Sequence, residues 1–167
     1  MSVRSNKTSH RLAFNFMFKP NGFTLLEILL VVALMAVLAG FSVAVYRNYG
    51  SSIQLDATRK NIIYDLRQMQ TRAAAGQGRL NWGARFFNGT SDYYELFSSP
   101  SNYADGGKLT LSKVYLPGNV IFTRPANNSN QDIIFASITG ATTADYVTIS
   151  ADNNAKNINV TVSGSVY

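Results

Sequence analysis

Among the residues able to do chemistry, Glu27 has the least ordinary surroundings. It is the one charged residue in the run FTLLEILLVVALMAVLAGFSVAV, residues 23–45. A carboxylate in an apolar segment costs about 2–3 kcal/mol or more unless it is paired. Either it sits at an interface, with its head among polar groups, or it meets a cation at membrane depth. The nearest bases in the chain are Lys19, ahead of the run, and Arg47, beyond it. Another molecule is then the natural source of the cation. The other carboxylates are less distinctive. Asp92 and Glu95 flank Tyr93-Tyr94, and Asp145 and Asp152 border a strand pattern. Paired carboxylates can do acid–base work, but here they read as turn and surface residues. Asp152-Asn153-Asn154 could offer oxygen ligands to calcium, without the dense acidic loop such a site wants. There is no cysteine and a single histidine, His10. Thiolate chemistry, a Ser-His-Asp triad and a multi-histidine zinc site are thereby excluded for one chain. Gly76-Gln77-Gly78 ends a helical pattern rather than opening one, so it is not a phosphate loop. No catalytic residue, cofactor, metal or enzymatic activity is expected.

The elements that must position Glu27 follow from charge and hydropathy. The chain has 167 residues, 46% hydrophobic and 12% aromatic, enough for one packed domain. Its net charge is +6, unevenly spread. Residues 1–22 carry Arg4, Lys7, Arg11 and Lys19 and no acid, while the rest is nearly balanced. A basic flank ahead of an apolar run follows the positive-inside pattern. Residues 28–46 carry no charge, and a helix of that length covers roughly 28 Å, about the thickness of a bilayer core. A cleaved secretory signal has a shorter apolar region and a small-residue cleavage site, both missing here. The run is therefore expected to enter the membrane.

Gly22-Phe23-Thr24-Leu25-Leu26-Glu27, followed by unbroken aliphatics, resembles the class III signal of type IV pilins and type II secretion pseudopilins. The resemblance implies cleavage after Gly22 by a prepilin peptidase and N-methylation of Phe23. It also implies that Glu27 pairs with the N-terminal amine of a neighbouring subunit during assembly, which supplies the missing cation. The expected partners are other pilins or pseudopilins, the peptidase, an assembly-platform membrane protein and the lipid bilayer. The expected location is the cytoplasmic (inner) membrane, single-pass, with the head outside the cytoplasm. A pilus or pseudopilus on the periplasmic or cell-surface side would follow. The leader is long for the family, and Met17 offers an alternative start that leaves six residues before the cut. Pro20 keeps the chain extended there. Where many pilins carry a proline, this chain has Ala44, with Gly40 four residues earlier. Gly40 either loosens the helix or packs against a neighbouring one.

The helical pattern continues past the membrane. Tyr46, Arg47 and Tyr49 resemble an interfacial belt, and Gly50-Ser51-Ser52 is a candidate interruption. Ile53, Leu55, Ile62, Leu66, Met69 and Ala73 recur near helical spacing, and Gly76-Gln77-Gly78 supplies the stop. Arg59, Lys60, Arg67 and Arg72 fall on other faces. They form either a solvated face with partial pairing, such as Asp56–Lys60 at i,i+4, or a contact for DNA, acidic subunits or lipid headgroups.

Beyond Gly78 the period becomes two, with turn residues between short apolar segments. About eight mostly antiparallel strands are expected, the last around Val166. Trp82, Phe86, Phe87, Tyr93, Tyr94 and Phe97 are mostly core, with adjacent pairs sending one ring to each sheet face. The predicted fold class is α+β. It comprises a basic leader (1–22), a transmembrane assembly helix (23–46), an amphipathic extension (47–76) and a β-rich head (77–167). Asp132-Ile-Ile-Phe135, Thr139-Gly140 and the ending from Ile158 through Gly164 to Tyr167 resemble the GspH/FimT minor pseudopilin group. That likeness implies a minor, priming or tip subunit. Some FimT-like pilins bind DNA through a basic tail, which Gly164-Ser-Val-Tyr167 lacks; a DNA-uptake competence pilin is the alternative function.

Overall fold

The structure is a computed structural model that describes residues 22–167, with the backbone alone over residues 41–48. The expected leader, with His10, Met17 and Pro20, lies outside the described residues, as do the side chains of Ala44, Tyr46 and Arg47. An α-helix is followed by antiparallel β-sheets, an α+β arrangement. α1 spans Leu25–Ala74, and residues 50–52 continue it without interruption. Among the described residues no helix is long and apolar enough to cross a membrane. Of the run expected to span, only residues 23–40 have described side chains.

The chain divides into two compact units, residues 1–40 and 41–167. In the first, the described aliphatic side chains from Leu25 to Leu38 are exposed on every helical face. Thr24 begins the helix: its carbonyl accepts from the Glu27 and Ile28 N–H groups at 3.1 and 3.2 Å.

In the second unit α1 buries Leu55, Thr58, Ile62, Leu66, Met69 and Ala73, which advance by three or four residues and so share one stripe. Ile53, assigned to that stripe on sequence, is 53% exposed. It lies two residues from Leu55, about 200° around the helix, and so faces away. Gly76 (φ +62°) and Gly78 (φ +66°) stop the helix in left-handed conformations that glycine adopts without a Cβ penalty. The last turn is tied down by the Ile138 N–H, which donates to the Ala73 carbonyl at 2.7 Å.

Seven strands follow: β1 Asn81–Asn88, β2 Tyr93–Ser99, β3 Leu109–Tyr115, β4 Ile121–Arg124, β5 Ser129–Phe135, β6 Asp145–Ala151 and β7 Asn154–Val160. The two apolar pairs around residues 109–111 and 114–116 form one strand rather than two. The segment near Val166 contributes a single bridge to Val160. One sheet has the order β3-β2-β1-β5 and the other β4-β6-β7, antiparallel throughout. Asp152 takes φ +51° in the two-residue β6–β7 turn, a conformation aspartate tolerates well.

Trp82, Ala84, Phe86, Tyr94, Leu96, Ile133 and Phe135 of the first sheet share one core with the helix stripe and with Phe122, Val147, Ile149, Ile158 and Val160. Each fully buried large side chain contributes about 1.5–3 kcal/mol. Two polar latches join the sheets. The Asn88 amide donates to the Phe122 and Pro125 carbonyls at 2.8 Å each. Asp92 accepts from the Gly89 and Phe122 N–H groups at 3.0 and 2.6 Å.

Candidate functional site

The first candidate site is the start of α1. Thr24 Oγ1 accepts a hydrogen bond from the Glu27 N–H at 3.2 Å, so Thr24 caps the helix and Glu27 is in its first turn. Thr24-Leu25-Leu26-Glu27 has the T-x-x-E spacing of a capping box. A carboxylate there is favoured by the helix dipole. The sequence reading overlooked Thr24, although the T-x-x-E pattern ahead of an apolar run was the signal for it. The Glu27 side chain is exposed, and among the described residues no cation lies within ion-pair distance of it. Phe23 is 77% exposed. Among the described residues nothing lies within 4 Å of a Cβ built on Gly22, and its φ is not positive. The fold therefore places no demand for glycine at position 22. Gly40 lies within α1, and among the described residues no neighbour would meet a Cβ placed there.

The second candidate site is the basic part of α1. The Arg59 Nε–H donates to the Asn157 carbonyl at 2.9 Å. Arg67 donates from Nε and Nη2 to the Val166 carbonyl at 3.1 and 2.8 Å. Arg59, Lys60 and Arg67 line one groove of about 470 Å3 with Ile63, Tyr64 and Tyr167. Arg72 stands apart, its guanidinium 5.0 Å from the centre of the Trp82 ring. Asp56 pairs with Lys156 at 3.3 Å, not with Lys60 as the i,i+4 spacing suggested. Tyr64 and Tyr167 were missed because phenols on an exposed face carry no periodic signal.

Glu95, Asp132, Asp145 and Asp65 are engaged within the head, while Asp152 is exposed in its turn. Glu95 accepts from the Tyr103 hydroxyl at 2.5 Å and faces Lys113 at 3.6 Å. Asp132 forms a two-pronged pair with Arg85, at 2.5 and 2.6 Å. This pair raises the arginine pKa, with burial opposing, and fixes the guanidinium plane 3.5 Å from the Tyr103 ring centre. Asp145 pairs with Arg124 at 2.8 Å. Asp65 accepts from the Tyr94 hydroxyl at 2.6 Å. Burial, and then this bond, push the phenol pKa far above its ordinary value. Among the described residues no group of three or more His, Cys, Asp or Glu could hold a metal ion. Phe87 and Tyr93 stack at 5.0 Å on the sheet face opposite Phe86 and Tyr94, with Tyr115 beside them. Phe97, on that outer side too, is buried beneath Tyr103.

Residues 17–43 match the family model of the prokaryotic N-terminal methylation motif. The N-terminal region thus carries a signal of the type IV pilin and pseudopilin kind. No curated protein and no solved structure matches the chain.

Proposed function

We propose that the chain is a prepilin-like subunit of a type IV pilus or type II secretion pseudopilus. In this reading a prepilin peptidase cuts after Gly22, Phe23 is N-methylated, and α1 assembles with the helices of other pilins or pseudopilins. The observation that carries it is Glu27, capped into the first helical turn, without an ion-pair partner among the described residues and followed by aliphatic residues exposed on all sides. A large exposed apolar surface marks a contact with lipid or protein. Lipid supplies that contact while the subunit waits as a single-pass protein of the inner membrane, its head outside the cytoplasm. Neighbouring helices supply it once an assembly platform draws the subunit into a filament on the periplasmic or cell-surface side. A charged amine on Phe23 of the adjoining subunit then answers the Glu27 carboxylate, strongly so in apolar surroundings.

A minor subunit of the GspH/FimT kind is the finer reading. It is supported by Gly140 and Gly164, two glycines of that resemblance, which meet over Gln70. No catalytic step is assigned to the head, whose half-buried carboxylates are engaged by backbone N–H groups, tyrosines and bases. The test is Glu27→Ala in cells. Cleavage at Gly22–Phe23, read by mass spectrometry of the mature N-terminus, should persist while recovery in sheared filaments falls at least tenfold. Unchanged incorporation would remove the pairing role.

A second reading, DNA capture by the head, is favoured by one observation. Arg59, Lys60 and Arg67 line a common groove, and among the described residues none is paired with a carboxylate.

A further inference from the structure

We infer that the groove formed by Arg59, Lys60, Ile63, Tyr64, Arg67 and Tyr167 is a binding site for single-stranded nucleic acid. Phosphates would be held by the bases and an unstacked nucleobase would lie against tyrosine. The inference rests on the DNA-capture reading and specifies its ligand.

Four observations converge. First, the groove brings three cations together, and among the described residues no Asp or Glu side chain lines it. Asp56 is drawn to Lys156 and Asp65 to Tyr94, so the nearby helix carboxylates are committed elsewhere. Second, both guanidinium groups are held by carbonyls rather than carboxylates. Arg59 uses Nε on Asn157, and Arg67 uses Nε and Nη2 on Val166. Their remaining N–H groups keep full charge and a fixed direction, which suits a phosphate oxygen. Third, Tyr64 is 67% and Tyr167 56% exposed, above the buried side chain of Ile63 at the floor of the groove. Large rings left open next to cations are the parts of a stacking platform, where phosphate contacts supply affinity and rings accept any base. Fourth, the groove, at about 470 Å3, is of a size for a nucleotide unit rather than a duplex. In duplex DNA the bases are stacked on each other, so Tyr64 would have nothing to receive. An acidic protein segment would satisfy the cations but leave the rings without a planar partner.

The test is fluorescence anisotropy with the full chain in detergent, using a labelled thymidine 12-mer and a 12-base-pair duplex. Lys60 and Tyr64 make no hydrogen bond or ion pair within the described residues, so Lys60→Gln and Tyr64→Ala leave the fold intact. Single strands should bind more tightly than duplex, and Tyr64→Ala should weaken them about tenfold with little effect on duplex. The slope of log K against log salt should be near −2, as about three phosphate contacts give, and Lys60→Gln should make it shallower by about 0.7. Equal binding of both probes, insensitive to Tyr64→Ala, would overturn the single-strand site while leaving DNA capture standing. Absence of binding to either probe at low salt would remove both. Competition by a polyglutamate peptide at equal charge concentration, with no response to Tyr64→Ala, would mark the groove as a protein contact and overturn the proposal.

Discussion

Gly164 approaches Gly140 so closely that a Cβ on Gly164 would lie 2.1 Å from the Gly140 carbonyl oxygen and 2.7 Å from Gln70 Nε2. Both glycines have positive φ, +83° and +65°, and the Gln70 amide donates to the Ser163 carbonyl at 3.3 Å. The turn that ends the chain's last β-bridge is thus set against both α1 and the loop after β5. Val166, two residues on, is buried and receives Arg67 on its carbonyl.

Gly164→Ala should therefore destabilise the head by about 2–4 kcal/mol, from overpacking together with left-handed backbone strain. A lowered midpoint in urea, read by the fluorescence of Trp82, checks this. A midpoint within error of the unsubstituted protein would show that the turn relaxes freely. Gly106→Ala, in open space with no positive φ, serves as the control.

Tyr94 gives the head a pH dependence at the alkaline end. Burial, reinforced by the bond to Asp65, raises its folded pKa above the ordinary value near 10. The folded state holds this proton more tightly than the unfolded chain does. The contribution is complete below pH 10 and is lost as pH rises above it, by up to about 1.4 kcal/mol per pH unit. Tyr94→Phe should lose about 0.5–1.5 kcal/mol at pH 7, the worth of one hydrogen bond. It should also show a flatter decline between pH 10 and 11. Urea titrations at the three pH values distinguish this from parallel curves, which would assign the alkaline loss to other groups.

Position 22 separates folding from processing. With open space around it and no left-handed backbone, Gly22→Leu should leave the urea midpoint of the head unchanged, within about 0.5 kcal/mol. The same variant should accumulate as uncleaved precursor on an immunoblot if, as proposed, the demand for glycine is made by a prepilin peptidase. Normal processing would move the cut elsewhere.

The sequence by itself determined what depends on near neighbours. The stripe Leu55, Ile62, Leu66, Met69 and Ala73 was legible because helical spacing puts these residues on one face whatever they pack against. The glycine stop at Gly76 and the split of Phe86 from Phe87 and Tyr93 from Tyr94 follow equally from local backbone geometry. So does the carboxylate of Glu27 in an apolar run, and even the Thr24 cap was present as a four-residue pattern. The strand count was blurred where one strand contained two apolar pairs.

Only the tertiary structure decided the partners. Arg59 meets Asn157, Arg67 meets Val166 and Asp56 meets Lys156, each about a hundred residues away. Those pairings depend on which strand lies beside which helical turn, and hence on the orders β3-β2-β1-β5 and β4-β6-β7. Local spacing offered Asp56 a neighbour in Lys60, but an exposed i,i+4 pair is worth only about 0.3–0.5 kcal/mol. A modest change in side-chain direction is enough to choose Lys156 instead. For the same reason four bases on one helix could not be sorted by sequence into three that line a groove and one that covers a tryptophan. The periodicity of a helix fixes the angle at which a side chain leaves it, and the packing of distant elements fixes what it finds there.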